Sequence, residues 1–461
     1  MGRQDEQEAL TGYDRVPYPG DPFPQTHPDR LATVATLFGL SPAAPDACRL
    51  LELGCGDGGN LVPMACGLPG GSFRGIDLSV RAIERAQALA GALKLDNVRF
   101  ERADLSAAIG EFDYVIAHGV YSWVEPPARD ALLAACRRCL APNGVAYVSY
   151  DVLPGGHLRE ITRQMLRWHL RDVDEPEQRI ARARALLEAV VEARPEGDEM
   201  RIATERALQQ GDAALFHDEL APHHEAVLFA DFVTHAAAHG LRFLAEADVF
   251  EMDAGGLPPE LAGDPIEREQ YLDFFKGRMF RQTLLCHAGA ELREPGLEVV
   301  RDMLAATPAR QVGEGEFRGP LGATLTTDHE AVKAALARLG DAWPAALRVA
   351  DLGDDPAVAE MLRRAYAANL VRLHVWAPEM TTTPSAHPVA SALARLQAAE
   401  GTRLTTLRHT SVEVADETGR RLIGLLDGTR DRAALLRDLD RPAHELERSL
   451  EGLARIALLE A

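Results

Sequence analysis

The sequence predicts an α/β protein whose residues 48–155 form a doubly wound parallel sheet, followed by a mainly helical stretch and a C-terminal region of short helices and strands. Three observations carry this. Short apolar runs alternate with amphipathic helical patterns, the rhythm of βαβ units. A glycine-rich turn directly follows the first run. Acidic residues end the first two runs, where doubly wound sheets hold their ligands.

The elements follow in order. Strands are expected at Arg49–Leu53, Ser72–Ile76, Asn97–Glu101, Phe112–Ala117 and Val145–Tyr150, and helices at Asn60–Gly67, Val80–Leu93 and Arg129–Leu140. Residues 156–300 read as mostly helical, through REITRQMLRWHLRDV, QRIARARALLEAVVEA, HEAVLFADFVTHAAAHG and EREQYLDFFKGRMFRQTLLCHA. Residues 306–325 read as a Gly-containing linker. Residues 326–461 read as two winged-helix-type units, each helix, turn, helix and short strand. The expected divisions are an N-terminal lid segment at 1–45, the core at 46–155, a middle domain at 156–305 and a C-terminal domain at 306–461.

Composition narrows the function. The 461 residues carry 49 basic and 70 acidic side chains, net −21, and a surface this acidic repels phosphate backbones. Residues 306–461 hold 19 basic and 22 acidic side chains, with no basic recognition helix. The winged-helix-like region is therefore expected to contact protein rather than nucleic acid. Residues 1–305 hold the remaining 30 basic and 48 acidic groups. Only Lys94, Lys276 and Lys333 are lysines, against 46 arginines, a bias expected of a GC-rich genome. No apolar run approaches a membrane span, and MGRQDEQEAL has no signal-peptide apolar region, so a cytoplasmic setting is expected. Cys136 and Cys139 are spaced C-x-x-C inside an apolar helical pattern and read as core. His217, His223 and His224 sit in a polar stretch with no cysteine partner, and the i, i+4 pair His235 and His239 has no adjacent third ligand, so no metal is expected.

The strongest motif is Leu50-Leu51-Glu52-Leu53-Gly54-Cys55-Gly56-Asp57-Gly58-Gly59-Asn60. It is not the dinucleotide fingerprint G-x-G-x-x-G, in which glycines bring a pyrophosphate onto a helix N-terminus. Two carboxylates, Glu52 and Asp57, would repel a pyrophosphate and suit a cation. S-adenosylmethionine, with its sulfonium and ammonium, fits. Gly75-Ile76-Asp77-Leu78-Ser79 closes the second strand, Phe100-Glu101-Arg102-Ala103-Asp104-Leu105 follows the third, and His118-Gly119-Val120-Tyr121-Ser122-Trp123 follows the fourth.

With these four ordered motifs the chain resembles the class I S-adenosylmethionine-dependent methyltransferases, with their Rossmann-like core. The resemblance implies a cofactor site of Glu52, Gly54, Gly56, Gly58, Asp77, Leu78, Asp104, Leu105 and His118. In it Asp77 takes the ribose hydroxyls, Asp104 the adenine amino group, and Leu105 supplies a backbone amide. The likeness extends further, through Tyr13-x-x-x-Pro17-Tyr18-Pro19, Pro22-Phe23-Pro24-Gln25-Thr26-His27-Pro28, Ser149–Gly155, His217–Leu220, Gln270–Phe274, Arg278–Leu285 and Leu425–Arg430. These resemble bacterial protein-lysine methyltransferases with a methyltransferase regulatory domain, the rickettsial outer-membrane-protein type. The chain departs from that pattern at Asp151 and Gly156, where Asn and Trp are expected.

The resemblance implies methyl transfer to a nitrogen acceptor, a protein lysine first, with a protein substrate as partner and a homodimer as a further option. Tyr18, His118, Tyr121 and Trp123 are the expected catalytic and acceptor-pocket residues, and Tyr13 and Tyr18 the expected aromatic lid. His118 serves equally as a backbone contact to the cofactor or as a general base. His27 is expected to cap or pack the helix that follows it. The alternative is an N- or O-methyltransferase of a small molecule or peptide natural product. A third reading is a binding protein that senses the cofactor without turnover.

Overall fold

The computed structural model describes residues 11–293, 296–319 and 322–461. The first ten residues of the expected lid segment, and residues 320–321 of the expected linker, lie outside that set.

Seven strands form one sheet: β1 Arg49–Leu53, β2 Ser72–Asp77, β3 Val98–Arg102, β4 Phe112–Ala117, β5 Leu140–Asp151, β6 Leu241–Glu246 and β7 Phe280–His287, in the order β3-β2-β1-β4-β5-β7-β6. The first five pair in parallel, and β7 runs antiparallel to both of its neighbours. The central strands are buried on both faces, hence their near-continuous apolar sequence. Leu50, Tyr114, Ile116 and Tyr147 face the core under the helices Pro28–Leu37, Leu61–Gly67 and Val80–Ala92. Their neighbours Leu51, Val115, Ala146 and Val148 face the opposite core with Leu132, Cys136 and Phe232. Cys136 and Cys139 are fully buried there, as expected of core cysteines.

Local chemistry sets the helix ends. Ser79 caps the helix Val80–Ala92 by accepting the Ala82 N–H at 3.1 Å. His27 caps Pro28–Leu37 through Nδ1, which accepts the Asp29 N–H at 3.2 Å, as anticipated.

Two sequence expectations are corrected. The segment EREQYLDFFKGRMFRQTLLCHA is not one helix. The helix Pro265–Lys276 stops at Gly277, which adopts φ +59°, and the remainder becomes β7. A lysine in the last turn followed by glycine is a helix stop that the sequence already displayed. The apolar run after it was too short for periodicity alone to separate strand from helix. The supposed linker, in turn, holds short strands at Arg310–Gly313 and Glu316–Arg318, and two more, Leu304–Ala306 and Thr324–Thr326, cross its ends.

The C-terminal region has two separate cores. In the first, the helices Glu330–Ala342 and Pro356–Ala367 pack on a sheet of Leu304–Ala306, Leu347–Arg348 and Arg372–His374. The second places the hairpin of Arg403–Thr405 and Ser411–Glu413 before three helices ending at Arg455. The units thus differ in element order, and the suspected repeat does not extend to their topology.

Candidate active site

A cavity of about 1180 Å³ opens at the C-terminal ends of β1, β2 and β4. One end is the glycine-rich turn. Gly56 adopts φ +53°, and a Cβ built there would meet nothing within 4 Å, so its backbone edge is bare toward the cavity. Gly58 has the opposite reason: a Cβ would strike Phe100 at 2.9 Å and Ala86 at 3.1 Å, closing the helix–strand packing. Gly54 lines the cavity; Gly58 supports it from behind.

Three carboxylates surround this turn. Asp77, ending β2, accepts the Gly56 N–H at 3.0 Å and the Ser79 N–H at 2.8 Å, so it braces the turn across the strand ends. Asp57 accepts the Gly20 N–H at 3.3 Å and thereby joins the turn to the N-terminal segment. Glu52 is buried, receives the Asn60 amide on Oε1 at 2.7 Å, and has no partner for Oε2. Burial, reinforced by Asp77 and Asp57, pushes the Glu52 carboxyl up to about 8. An orphaned buried oxygen beside two further acids is a site prepared for a cation.

Leu78 and Leu105 line the cavity. Asp104 is solvent-exposed and binds Ser106 through Oδ1 at 2.9 Å to the backbone N–H, while its neighbours Ala103 and Leu105 line the wall.

His118 stacks on Phe23 with centroids 3.8 Å apart. The Tyr147 hydroxyl donates to Gln282 at 2.7 Å, so His118 Nδ1–H donates to the Tyr147 oxygen at 2.9 Å. Burial lowers the imidazole to about 4, which keeps it neutral. Trp123 lines the cavity under the guanidinium groups of Arg159 and Arg163, 5.1 and 5.5 Å from its ring centroid.

Tyr121 is a correction. It does not line the cavity; its ring packs into the core against Phe232 and Tyr150, and its hydroxyl lies 2.9 Å from His235 Nδ1. The cause is the single 3₁₀ turn Tyr121–Trp123, in which residues two apart leave the axis in widely different directions. Trp123 faces the cavity, so Tyr121 cannot.

The other end of the cavity comes from the N-terminal segment and the middle region. Tyr13 stacks on His217 at 4.1 Å, and Tyr18 meets the edge of both rings. Burial pushes the Tyr18 hydroxyl up to about 12. Sequence reasoning missed three parts of this end. Asp14 is buried and anchors the segment by accepting Ser79 Oγ at 2.7 Å and the Arg81 N–H at 2.9 Å. Arg159 pairs with Asp151 at 3.0 Å, Glu219 at 3.1 Å and Asp218 at 3.4 Å. Asp218 lines the cavity, and burial, with Glu219 and Asp151 adding to it against Arg159, lifts its carboxyl to about 6. The departures from the family pattern also lie here: Asp151 binds Arg159 and His224, and a Cβ on Gly156 would strike Ala226 at 2.5 Å.

Residues 51–146 match the methyltransferase domain model, 211–287 the predicted methyltransferase regulatory domain, and 387–455 the PKMT C-terminal winged helix domain. The chain is 31% identical over 240 residues to the uncharacterized protein RP028 of Rickettsia prowazekii, covering 50% of this chain and 96% of that protein. It belongs to one family with that protein, the methyltransferases that carry a methyltransferase regulatory domain. A second relative, RP789 of the same organism, is 37% identical over 289 residues, 60% of this chain; the chain spans only 52% of its length. The structure of PKMT2 from Rickettsia typhi superposes with a TM-score of 0.85 at 24% identity, over 96% of this chain and 100% of that one, a shared fold. The cofactor of a class I methyltransferase domain is S-adenosyl-L-methionine, and the bare Gly56 edge and the orphaned Glu52 oxygen fit its cationic end.

Proposed function

We propose that this member of the family methylates the side-chain nitrogen of a protein lysine. One observation carries the reading: a single cavity joins the acidic glycine turn to a second end where Tyr13 and Tyr18 stand with the raised carboxyl of Asp218. When bound, S-adenosylmethionine supplies an electrophilic methyl group on a sulfonium. Glu52, Asp77, Leu78 and Leu105 hold that cofactor, with Gly54 and Gly56 giving it room. Asp104 serves from the rim. His118, neutral and fixed by Tyr147, is a wall of the site and a poor base at its lowered value. Trp123 lines the acceptor side.

A lysine acceptor must lose its proton, which at pH 7 costs about 4.6 kcal/mol from a pKa near 10.4. Asp218, lifted toward neutrality, attracts the ammonium and takes up its proton. Tyr13 and Tyr18 present ring faces and phenol oxygens that keep water from the amine and orient its lone pair. The strongest support for a protein acceptor is the added mass. Relatives that bear small-molecule names, such as the trans-aconitate 2-methyltransferase of Deinococcus radiodurans, align over only 30% of this chain, and the winged-helix match lies outside any such core. Incubation with labelled cofactor and a bacterial lysate is expected to label protein lysines. Label confined to small molecules would overturn the reading.

A further inference from the structure

The i, i+4 histidines of the helix Phe229–Ala238 and its cap acquire a third neighbour that sequence spacing could not supply. Asp130, from the helix Pro126–Cys139, directs Oδ1 at both: it lies 2.9 Å from His235 Nε2 and 3.1 Å from His239 Nε2. One atom from each residue lies within 4.8 Å of the others, and among the described residues this is the one such convergent group of histidine and acid. A tetrahedral zinc with ligands at about 2.0–2.1 Å separates its donors by roughly 3.3 Å. Two of the three donor separations therefore stand close to ligand spacing, and the third is within 4.8 Å.

A second observation points the same way. His235 Nδ1 lies 2.9 Å from the Tyr121 hydroxyl, itself held between Phe232 and Tyr150. A partner on one imidazole nitrogen fixes the ring and aims the other nitrogen outward, as imidazole ligands of metals are commonly held. The two imidazoles are partly buried and Asp130 is exposed, so one side of the group stays open to water.

We propose that Asp130, His235 and His239 bind a divalent first-row cation, zinc foremost, with water completing the shell. Two imidazole nitrogens and one carboxylate oxygen form a donor set suited to such an ion. The ion ties the core helix that carries Asp130 to the middle-region helix that carries His235. It also fixes Tyr121, two residues before the cavity-lining Trp123, so it stiffens the junction without taking part in the reaction.

The test uses the full chain without an affinity tag, stripped with a chelator and titrated with zinc chloride in a calorimeter. One equivalent is expected to bind and to raise the melting temperature. Asp130→Asn, which changes an exposed side chain, and His239→Ala should each weaken binding about tenfold or more. With cobalt chloride, a four-coordinate visible spectrum lacking thiolate charge transfer is expected. Absence of binding, unchanged affinity in Asp130→Asn, or thiolate charge transfer, which would locate the ion on cysteine, each overturns the site.

Discussion

Glu52 and Asp77 divide one task by their surroundings. Asp77 is satisfied by two backbone N–H groups, while Glu52 keeps an unpartnered oxygen and a carboxyl at about 8. The cofactor-free protein therefore holds Glu52 protonated at neutral pH, and a bound cation favours its ionised form. Affinity for S-adenosylmethionine should rise with pH up to about 8, by at most roughly tenfold per unit for one proton, with proton release on binding. Calorimetry in buffers of different ionisation enthalpy checks this, and Glu52→Gln should flatten the dependence. The sign for stability is opposite. A carboxyl raised above its unfolded value stabilises the fold below about 4.5, and that contribution is lost as pH rises through about 8. Asp77→Ala should weaken cofactor binding by more than about 1 kcal/mol, the scale of a charge-assisted hydrogen bond. Unchanged affinity would refute the ribose assignment. For Asp218, turnover should climb as pH passes about 6, and Asp218→Asn should remove that limb of the kcat/KM profile. The carboxylates of the glycine turn were legible in the sequence because strand ends fix them. Asp218 was not, because its neighbours Asp151 and Arg159 lie far from it in sequence and only the fold gathers them.

At the scale of elements, β7 carries the largest difference between expectation and structure, and its reason is electrostatic. Arg281 is fully buried, within 2.6 Å of Glu246 on β6 and 2.9 and 3.2 Å of Asp273 and Glu269 on the helix Pro265–Lys276. Its guanidinium also lies over the Phe229 ring at 4.0 Å. A single cation thus binds the last two strands and the helix before β7. Removing it leaves three buried carboxylates facing one another, with Arg278 the nearest remaining cation. Arg281→Ala should cost about 3–5 kcal/mol in chemical denaturation. A loss near zero would mean that the cluster does not hold the edge of the sheet. Local sequence could not announce this strand, because what selects β over helix after Gly277 is pairing with β5 and β6 and the arginine's distant partners.

Across the whole molecule, the N-terminal segment and the C-terminal unit meet at the glycine turn. Asn60 donates to Glu52, while its oxygen receives the Phe23 N–H at 3.0 Å and His409 Nε2–H at 2.9 Å. Asp21 pairs with Arg403 at 2.8 Å. The winged-helix unit thereby steadies a residue that steadies the Glu52 carboxyl. His409→Ala should weaken cofactor binding by about 1 kcal/mol, without contacting the ligand. Equal affinity in both proteins would break that chain of contacts. The sequence by itself determined the α/β core, its five parallel strands and the acidic glycine turn, since hydrophobic period and backbone conformation are local properties. Only the tertiary structure decided which aromatic faces the cavity, why Tyr121 does not, where Asp130 meets the two histidines, and how His409 reaches Asn60. Those contacts join residues far apart in the chain, and hydrogen-bond geometry becomes defined only once packing brings their elements together.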